Sequence, residues 1–317
     1  TPDDLTLPRR SSTDLPSLHH IQAPGRSLPG AFRCFTAEYP AVKIRFLSDL
    51  RLEIAEEPEH VPSIGEDLVV LAGDIHEGVE GIRWAQRVMA DRPVLYVMGN
   101  HEYYRFAVEP LLATARELCK GSNVTLLEDS AVVMGGIRFI GATLWTDFEL
   151  LGQENQKKSM QLAKRRVSDY KRITHTAGVV RRSLEPADTL RYHRASRAFF
   201  ESAIDTSNEP VVVISHHGPY LSASGDSFIG DPLSPAYNSD LLGLMRDPLK
   251  AWIFGHTGRC IETWIRQTLV VSNQRGYAIE PFPGFRWDRC IEVLPDGSKL
   301  AAQVPAAESV LEVLATA

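Results

Sequence analysis

The stretch DLVVLAGDIH at residues 67–76 decides the fold, because an unbroken apolar run ends there in a glycine and Asp74. Such runs are typical of strands buried on both faces. Four more apolar runs end in a polar side chain that can bind a metal. They are RFLSD at Asp49, VLYVMGNH at Asn100 and His101, VVVISHH at His216 and His217, and WIFGH at His256. Ligands bind at the carboxyl ends of strands in open α/β sheets, so we expect these side chains to converge.

The residue types at these strand ends indicate a divalent metal. Carboxylate, amide and imidazole ligands together favour Mn, Fe, Zn or Co, whereas an all-oxygen shell would favour Mg or Ca. A single Asp or His after a strand is usually a cap or turn residue, but five such strand ends together predict a site. Glycines beside the ligands, in GD, GNH, HHG and GH, leave room for a bulky anion.

The chain is predicted to be α/β from Val42 onward, where apolar runs alternate with amphipathic stretches. The predicted strands are residues 42–48, 67–72, 93–98, 131–133, 137–141, 211–215, 251–254, 269–272 and 290–294. The predicted helices are residues 79–90, 109–120, 153–170, 189–203 and 239–245. We expect a poorly ordered N-terminal extension (1–40), a main domain (41–297) with a helical insertion at about 150–190, and a C-terminal tail (298–317).

Composition excludes some classes of partner. The net charge of −6 argues against nucleic acid, which favours clustered Lys and Arg. No run of about 18 apolar residues predicts a membrane span. The four cysteines form no CxxC pair, so we expect free thiols and a cytoplasmic protein. The loop after the fourth motif, residues 218–236, is long for a connection, and we expect it to close over substrate.

The motif set resembles the calcineurin-like metallophosphoesterases. It reads SDLR at 48–51, GDIH at 73–76, GNHE at 99–102, SHHGP at 215–219 and GHTG at 255–258. The stretches GATLWTDF and SNQRGY are similar to a bacterial and fungal subgroup whose substrates are poorly defined. The resemblance implies a four-layer α/β/β/α sandwich with two mixed β-sheets.

The resemblance also implies two metal ions, bridged by a carboxylate and a hydroxide. Asp74 would be the bridging ligand. Asn100, His216 and His256 would complete the second metal position, and Asp49 would belong to the first. His101 would bind no metal, but would stabilise developing charge or protonate the leaving alkoxide.

The sequence departs from the family pattern at the first metal position. The expected D-x-H is Asp49-Leu50-Arg51, and the expected G-H-x-H ends in Gly258. A guanidinium keeps its charge at ordinary pH and can hold a phosphate oxygen through two hydrogen bonds. We therefore expect one intact metal position, with Arg51 in a catalytic and substrate-binding role; a site with two ions stays open. His217 is predicted to lie near the site and contact substrate.

The expected activity is hydrolysis of a small phosphomonoester or phosphodiester by a metal-bound hydroxide. The alternative is an impaired or silent relative that binds a phosphorylated ligand or a protein. A nuclease is disfavoured by the acidic balance. Histidines restored at positions 51 and 258 are expected to raise the metal count toward two. Substrate identity, the metal and the oligomeric state are not determined by the sequence.

Overall fold

The computed structural model describes residues 40–177, 180–277 and 280–298. The N-terminal extension and the C-terminal tail, apart from residues 40 and 298, lie outside the described residues. In chain order the strands are β1 (Val42–Leu47), β2 (Leu68–Ala72), β3 (Val94–Val97), β4 (Val124–Leu126), β5 (Ser130–Met134), β6 (Ile137–Ala142), β7 (Thr174–Ala177), β8 (Val180–Ser183), β9 (Val211–Ser215), β10 (Leu249–Phe254), β11 (Ile261–Ile265), β12 (Thr268–Ser272), β13 (Gly276–Tyr277), β14 (Glu280–Pro281) and β15 (Cys290–Val293). The helices are α1 (Glu80–Val88), α2 (Val108–Cys119), α3 (Gln156–Arg166), α4 (Asp169–Arg172) and α5 (Pro186–Asp205).

Two mixed sheets form the centre of the fold. The first has the order β15-β1-β2-β3-β4, in which β15 is antiparallel to β1 and the others run parallel. The second has the order β11-β12-β10-β9-β6-β5, with antiparallel strands at both edges. The predicted pair of mixed sheets is confirmed.

Three apolar clusters fill the spaces between the layers. The middle cluster lies between the sheets and includes Ile44, Phe46, Val70, Phe139 and Val212. A second cluster packs the other face of the first sheet against α1 and α2, and a third packs the second sheet against α5. Strands β2 and β9 are buried at every position, which explains their unbroken apolar runs. This arrangement confirms the four-layer sandwich.

Two helix predictions are wrong. The predicted helix at 153–170 breaks after α3, since Val167 is extended, and the chain restarts as α4. The predicted helix at 239–245 is only a 3-10 turn, Leu242–Leu244, because Asp240 bonds to the N–H of Leu242 and favours a turn. The strands that were not predicted are β4, β7, β8, β11, β13 and β14. The segment after α4 contains a hairpin, β7 and β8.

The cysteines and the helices bear on the expected free thiols and on the expected lack of a membrane span. Cys119, Cys260 and Cys290 are free in the structure, and Cys34 lies outside the described residues. No described helix combines the length and apolar character needed to cross a membrane.

Candidate metal centre and active site

The side chains predicted to form the site extend from the carboxyl ends of five strands in the two sheets. They follow β1, β2, β3, β9 and β10, and are Asp49, Asp74, Asn100, His216 and His256. Three of them have left-handed backbone, with φ of 53° at Asp49, 55° at Asp74 and 67° at His256. Residues other than glycine rarely adopt this region, and such strain clusters at functional sites.

Three of these residues, Asp74, Asn100 and His256, meet around the ring of a fourth, His216. Its Nε2 lies 3.2 Å from Asp74 Oδ1, 3.0 Å from Asn100 Oδ1 and 3.2 Å from His256 Nδ1. The ligand atoms of Asp74, His216 and His256 all lie within 4.8 Å of one another. The structure therefore brings together the residues predicted for the second metal position.

The chemistry of these atoms fits a cation. His216 Nδ1 lies 2.9 Å from the carbonyl oxygen of Ala72, so this nitrogen donates and Nε2 is the ring atom that faces the cluster. Around Nε2 lie two oxygens and a second ring nitrogen, and a bound metal would require Nε2 to be unprotonated. Asp74 Oδ2 is buried and accepts no hydrogen bond from any described residue, although Arg51 Nη2 and His101 Nε2 each lie 3.6 Å from it. Buried acceptors that face one another need a positive charge between them.

The charge states of the buried groups are consistent with metal ligation. Burial raises the pKa of Asp74, but His101, His216 and Arg51 outweigh this effect and lower it to about 2. Burial, together with neighbouring histidines, lowers the pKa of His256 well below its usual value, so its imidazole is neutral. A carboxylate and a neutral imidazole are the forms that bind divalent metals.

The amide of Asn100 is oriented by two residues, one of them Asp169, which the sequence reading did not identify. Asn100 Nδ2 donates to Asp169 Oδ1 at 2.9 Å and to the hydroxyl of Tyr104 at 3.2 Å. The Tyr104 hydroxyl also donates to Asp169 Oδ1. With its nitrogen engaged, Asn100 presents its oxygen to the cluster. Asp169 begins α4, so the break in the predicted helix carries the carboxylate that positions a candidate ligand.

Glu102 holds two of the ligand loops together. It is fully buried and accepts hydrogen bonds from the backbone N–H groups of Asp74, Ile75 and Gly99 and from the Tyr96 hydroxyl. It is the last residue of the GNHE motif at 99–102, and its place in that motif is the sequence signal that could have identified it. Its carboxylate fixes the backbone turn after β2 against the turn after β3.

His101 lies beside the ligands and pairs with Glu53, a residue that the sequence reading missed. Its Nδ1 is 2.9 Å from Glu53 Oε1, and its Nε2 is 3.6 Å from Asp74 Oδ2. Burial lowers the pKa of His101, but Asp74 and Glu53 outweigh it and raise that pKa to about 9. The ring therefore carries a proton at neutral pH.

Arg51 lies between the two aspartates. Its Nη2 is 3.5 Å from Asp49 Oδ1 and 3.6 Å from Asp74 Oδ2. The guanidinium also packs over the ring of Tyr277, 4.7 Å from its centroid. Burial and the charge of Asp74 raise the pKa of Asp49, while Arg51 acts in the opposite direction. A fixed positive charge thus stands beside Asp49, where the resemblance implied the first metal.

Gly258 does not suit the histidine that the family pattern has there. Its φ is +72°, and an added Cβ would meet Phe282 Cζ at 3.3 Å. Its N–H donates to Gln274 Oε1 at 2.7 Å. The backbone therefore opposes the double substitution that was expected to restore a second metal.

His217 lies behind the candidate ligands and is 1% exposed. Its Nδ1 donates to the carbonyl of Thr143 at 3.1 Å, and its ring packs against His256 and Trp145. Burial lowers its pKa to about 3, so the ring is neutral. The substrate contact predicted for His217 stays a prediction.

The chain is similar to known proteins in sequence and in fold. A region of 203 residues is 25% identical to Uncharacterized protein L509 of Acanthamoeba polyphaga mimivirus, covering 59% of this chain and 69% of that one. The fold is similar to phosphopantetheinyl hydrolase (PptH) from Mycobacterium tuberculosis, with a TM-score of 0.64, 20% identity, and coverage of 80% of this chain and 96% of the other.

A second solved structure, a putative 5'-nucleotidase from Staphylococcus aureus in complex with alpha-ketoglutarate, has a TM-score of 0.43 and 12% identity. The match covers 87% of this chain and 58% of the nucleotidase chain. The family model for calcineurin-like phosphoesterases matches residues 43–260, which include every strand end described above. The chain therefore belongs to the calcineurin-like phosphoesterases, a family of phosphoric ester hydrolases.

Proposed function

We propose that this chain hydrolyses a phosphoester of a small molecule with one divalent metal ion, and that Arg51 supplies the second positive charge. Asp74, Asn100, His216 and His256 would hold the ion. The observation that carries this proposal is the cluster of acceptors around His216 Nε2, all within 3.2 Å, next to a guanidinium.

Each group has a separate task in this proposal. The bound metal would supply an activated water and positive charge for the phosphate oxygens. Arg51 would hold a phosphate oxygen through its guanidinium, which lies 3.6 Å from Asp74 Oδ2 and keeps its charge at ordinary pH. His101, held through Nδ1 by Glu53 at 2.9 Å, would present its Nε2 proton to the leaving alcohol.

The number and identity of the ions are part of the proposal. The mixture of carboxylate, amide and imidazole suits Mn, Fe, Zn or Co. One ion is favoured because Arg51 would repel a second cation beside Asp49. Two ions would require Arg51 to move away from both aspartates.

An aryl phosphate assay tests the activity. The purified chain with Mn²⁺ should release nitrophenol from nitrophenyl phosphate or from its diester, and Asn100→Ala should reduce the rate roughly a thousandfold. Circular dichroism should show that the variant keeps its fold. A phosphopantetheinyl ester belongs in the substrate panel, since a hydrolase of that group has a similar fold. A rate that Asn100→Ala leaves unchanged would refute the proposal.

A second candidate function is binding of a phosphorylated ligand without turnover. Arg51 beside Asp49 and the left-handed Gly258, φ +72°, favour it, because both replace metal-binding histidines of the family pattern. In this case inorganic phosphate would bind, and Arg51→Met would weaken it, while no ester in the panel would be hydrolysed.

A further inference from the structure

A cavity of about 310 Å³ lies beside the candidate metal centre and is bounded by His256 itself. Its other walls come from the loop between Ser224 and Tyr237 and from the two residues that follow His256. Because His256 belongs to both, a substrate whose phosphate lies at the metal centre can place a neighbouring group in this cavity.

The wall formed by the loop is held by its own hydrogen bonds. Ser234 Oγ donates to the carbonyl of Phe228 at 2.6 Å, and the Leu233 N–H donates to Asp231 Oδ1 at 2.7 Å. Tyr237 stacks on the ring of His256, with 5.0 Å between centroids and 29° between planes. These contacts hold the loop against a candidate ligand and give the cavity a defined shape.

The chemistry of the walls selects a type of group. No lysine or arginine is among the described residues that line the cavity, and Asp231 is the carboxylate there. A further phosphate or carboxylate would meet Asp231 without a compensating cation. The Phe228 side chain, 51% exposed, offers an uncovered apolar face, and Tyr237 offers a second ring. Such walls favour an apolar or aromatic group.

We propose that this cavity binds the alcohol part of the substrate, and that this part is compact, uncharged and apolar or aromatic. Nucleoside diphosphates and triphosphates and other polyanions would be rejected by Asp231. The inference rests on the proposed function, because it assumes that the phosphate lies at the metal centre.

Binding of phosphonates tests the apolar part of the inference without requiring turnover. Titration calorimetry of the Mn²⁺-loaded chain should give an affinity for phenylphosphonate roughly tenfold above that for methylphosphonate. Phe228→Ala should reduce this preference to about twofold. Ile229→Ala is the matched control, since Ile229 is 50% exposed in the same loop but does not line the cavity.

A charged ring tests the role of Asp231. The chain should bind 4-carboxyphenylphosphonate roughly tenfold more weakly than phenylphosphonate, and Asp231→Asn should remove most of this difference. The asparagine oxygen can still accept the Leu233 N–H, so the turn is kept.

The outcomes separate this inference from the proposed function. Equal affinities for methylphosphonate and phenylphosphonate, or equal effects of Phe228→Ala and Ile229→Ala, would overturn the cavity inference alone. Failure of every phosphonate to bind, with Mn²⁺ bound, would count against the phosphate site and would overturn both.

Discussion

The two halves of the candidate site begin at equivalent strand ends but balance their charge differently. In the histidine half, formed by Asp74, Asn100, His216 and His256, acceptor atoms face one another. In the arginine half, formed by Asp49 and Arg51, the neutralising charge belongs to the protein and lies 3.5 Å from the carboxylate. One half therefore needs an external cation, whereas the other carries a permanent one.

The largest expected effect follows from removing a ligand of the histidine half. His256→Asn should weaken Mn²⁺ binding at least about a hundredfold, because changes to outer partners of a metal already cost 10- to 100-fold. Asparagine tolerates the left-handed backbone at this position, φ 67°, so the fold should persist. Calorimetric titration measures the affinity. Tyr237→Phe, which keeps the ring stacked on His256, is the control. Unchanged affinity in the asparagine variant would mean that the ion binds elsewhere.

The arginine half is tested by removing its charge. Arg51→Met should lower aryl phosphate turnover about a hundredfold, since loss of one preorganised donor to a transition state costs this much. Arg51→Lys should retain part of the activity, because it keeps the charge but not the two-pronged hydrogen bonding.

Metal analysis distinguishes two roles of Arg51, which either assists the reaction or only blocks a metal position. We expect one ion per chain in the unaltered protein and one in Arg51→Met. A Met variant that binds two ions and turns over faster would show that Arg51 only blocks a metal position and does not assist the reaction.

A smaller effect is expected for Glu53, which touches neither half directly but holds His101 at 2.9 Å. Glu53→Gln should lower turnover about tenfold to a hundredfold, because the proton on His101 is no longer stabilised by a carboxylate. Mn²⁺ affinity should stay within about twofold. If affinity and turnover fall by the same factor, Glu53 supports the metal centre instead of the proton on His101.

The smallest effect is expected for Asp169, which orients Asn100 from outside the histidine half. Asp169→Ala should weaken Mn²⁺ binding about tenfold, because the amide is then free to turn its nitrogen toward the ion. Lys171→Ala, at an exposed position of the same short helix, is the matched control and should leave affinity unchanged. Equal affinities in Asp169→Ala and the unaltered chain would remove Asp169 from the site.

Much of the fold could be predicted because most core strands are buried on both faces. The predicted strand at 211–215 agrees with β9 residue for residue. The exposed edge strand β11 was missed because its burial alternates along IETWI, which leaves no unbroken apolar run. Helices were less predictable where a local side-chain bond competes with the helix, as at Asp240, and where the backbone becomes extended within the predicted helix, as at Val167.

The order of the amino acids suffices to assign the family and the residues that end each buried strand, because a strand in a covered sheet needs a continuous apolar run. The partners that hold those residues follow only from the packing of the folded chain. Glu53 meets His101 across 48 positions, and Asp169 meets Asn100 across 69. Local patterning carries no information about such pairs, because packed loops create them. The left-handed Gly258 likewise depends on how its turn packs against Phe282.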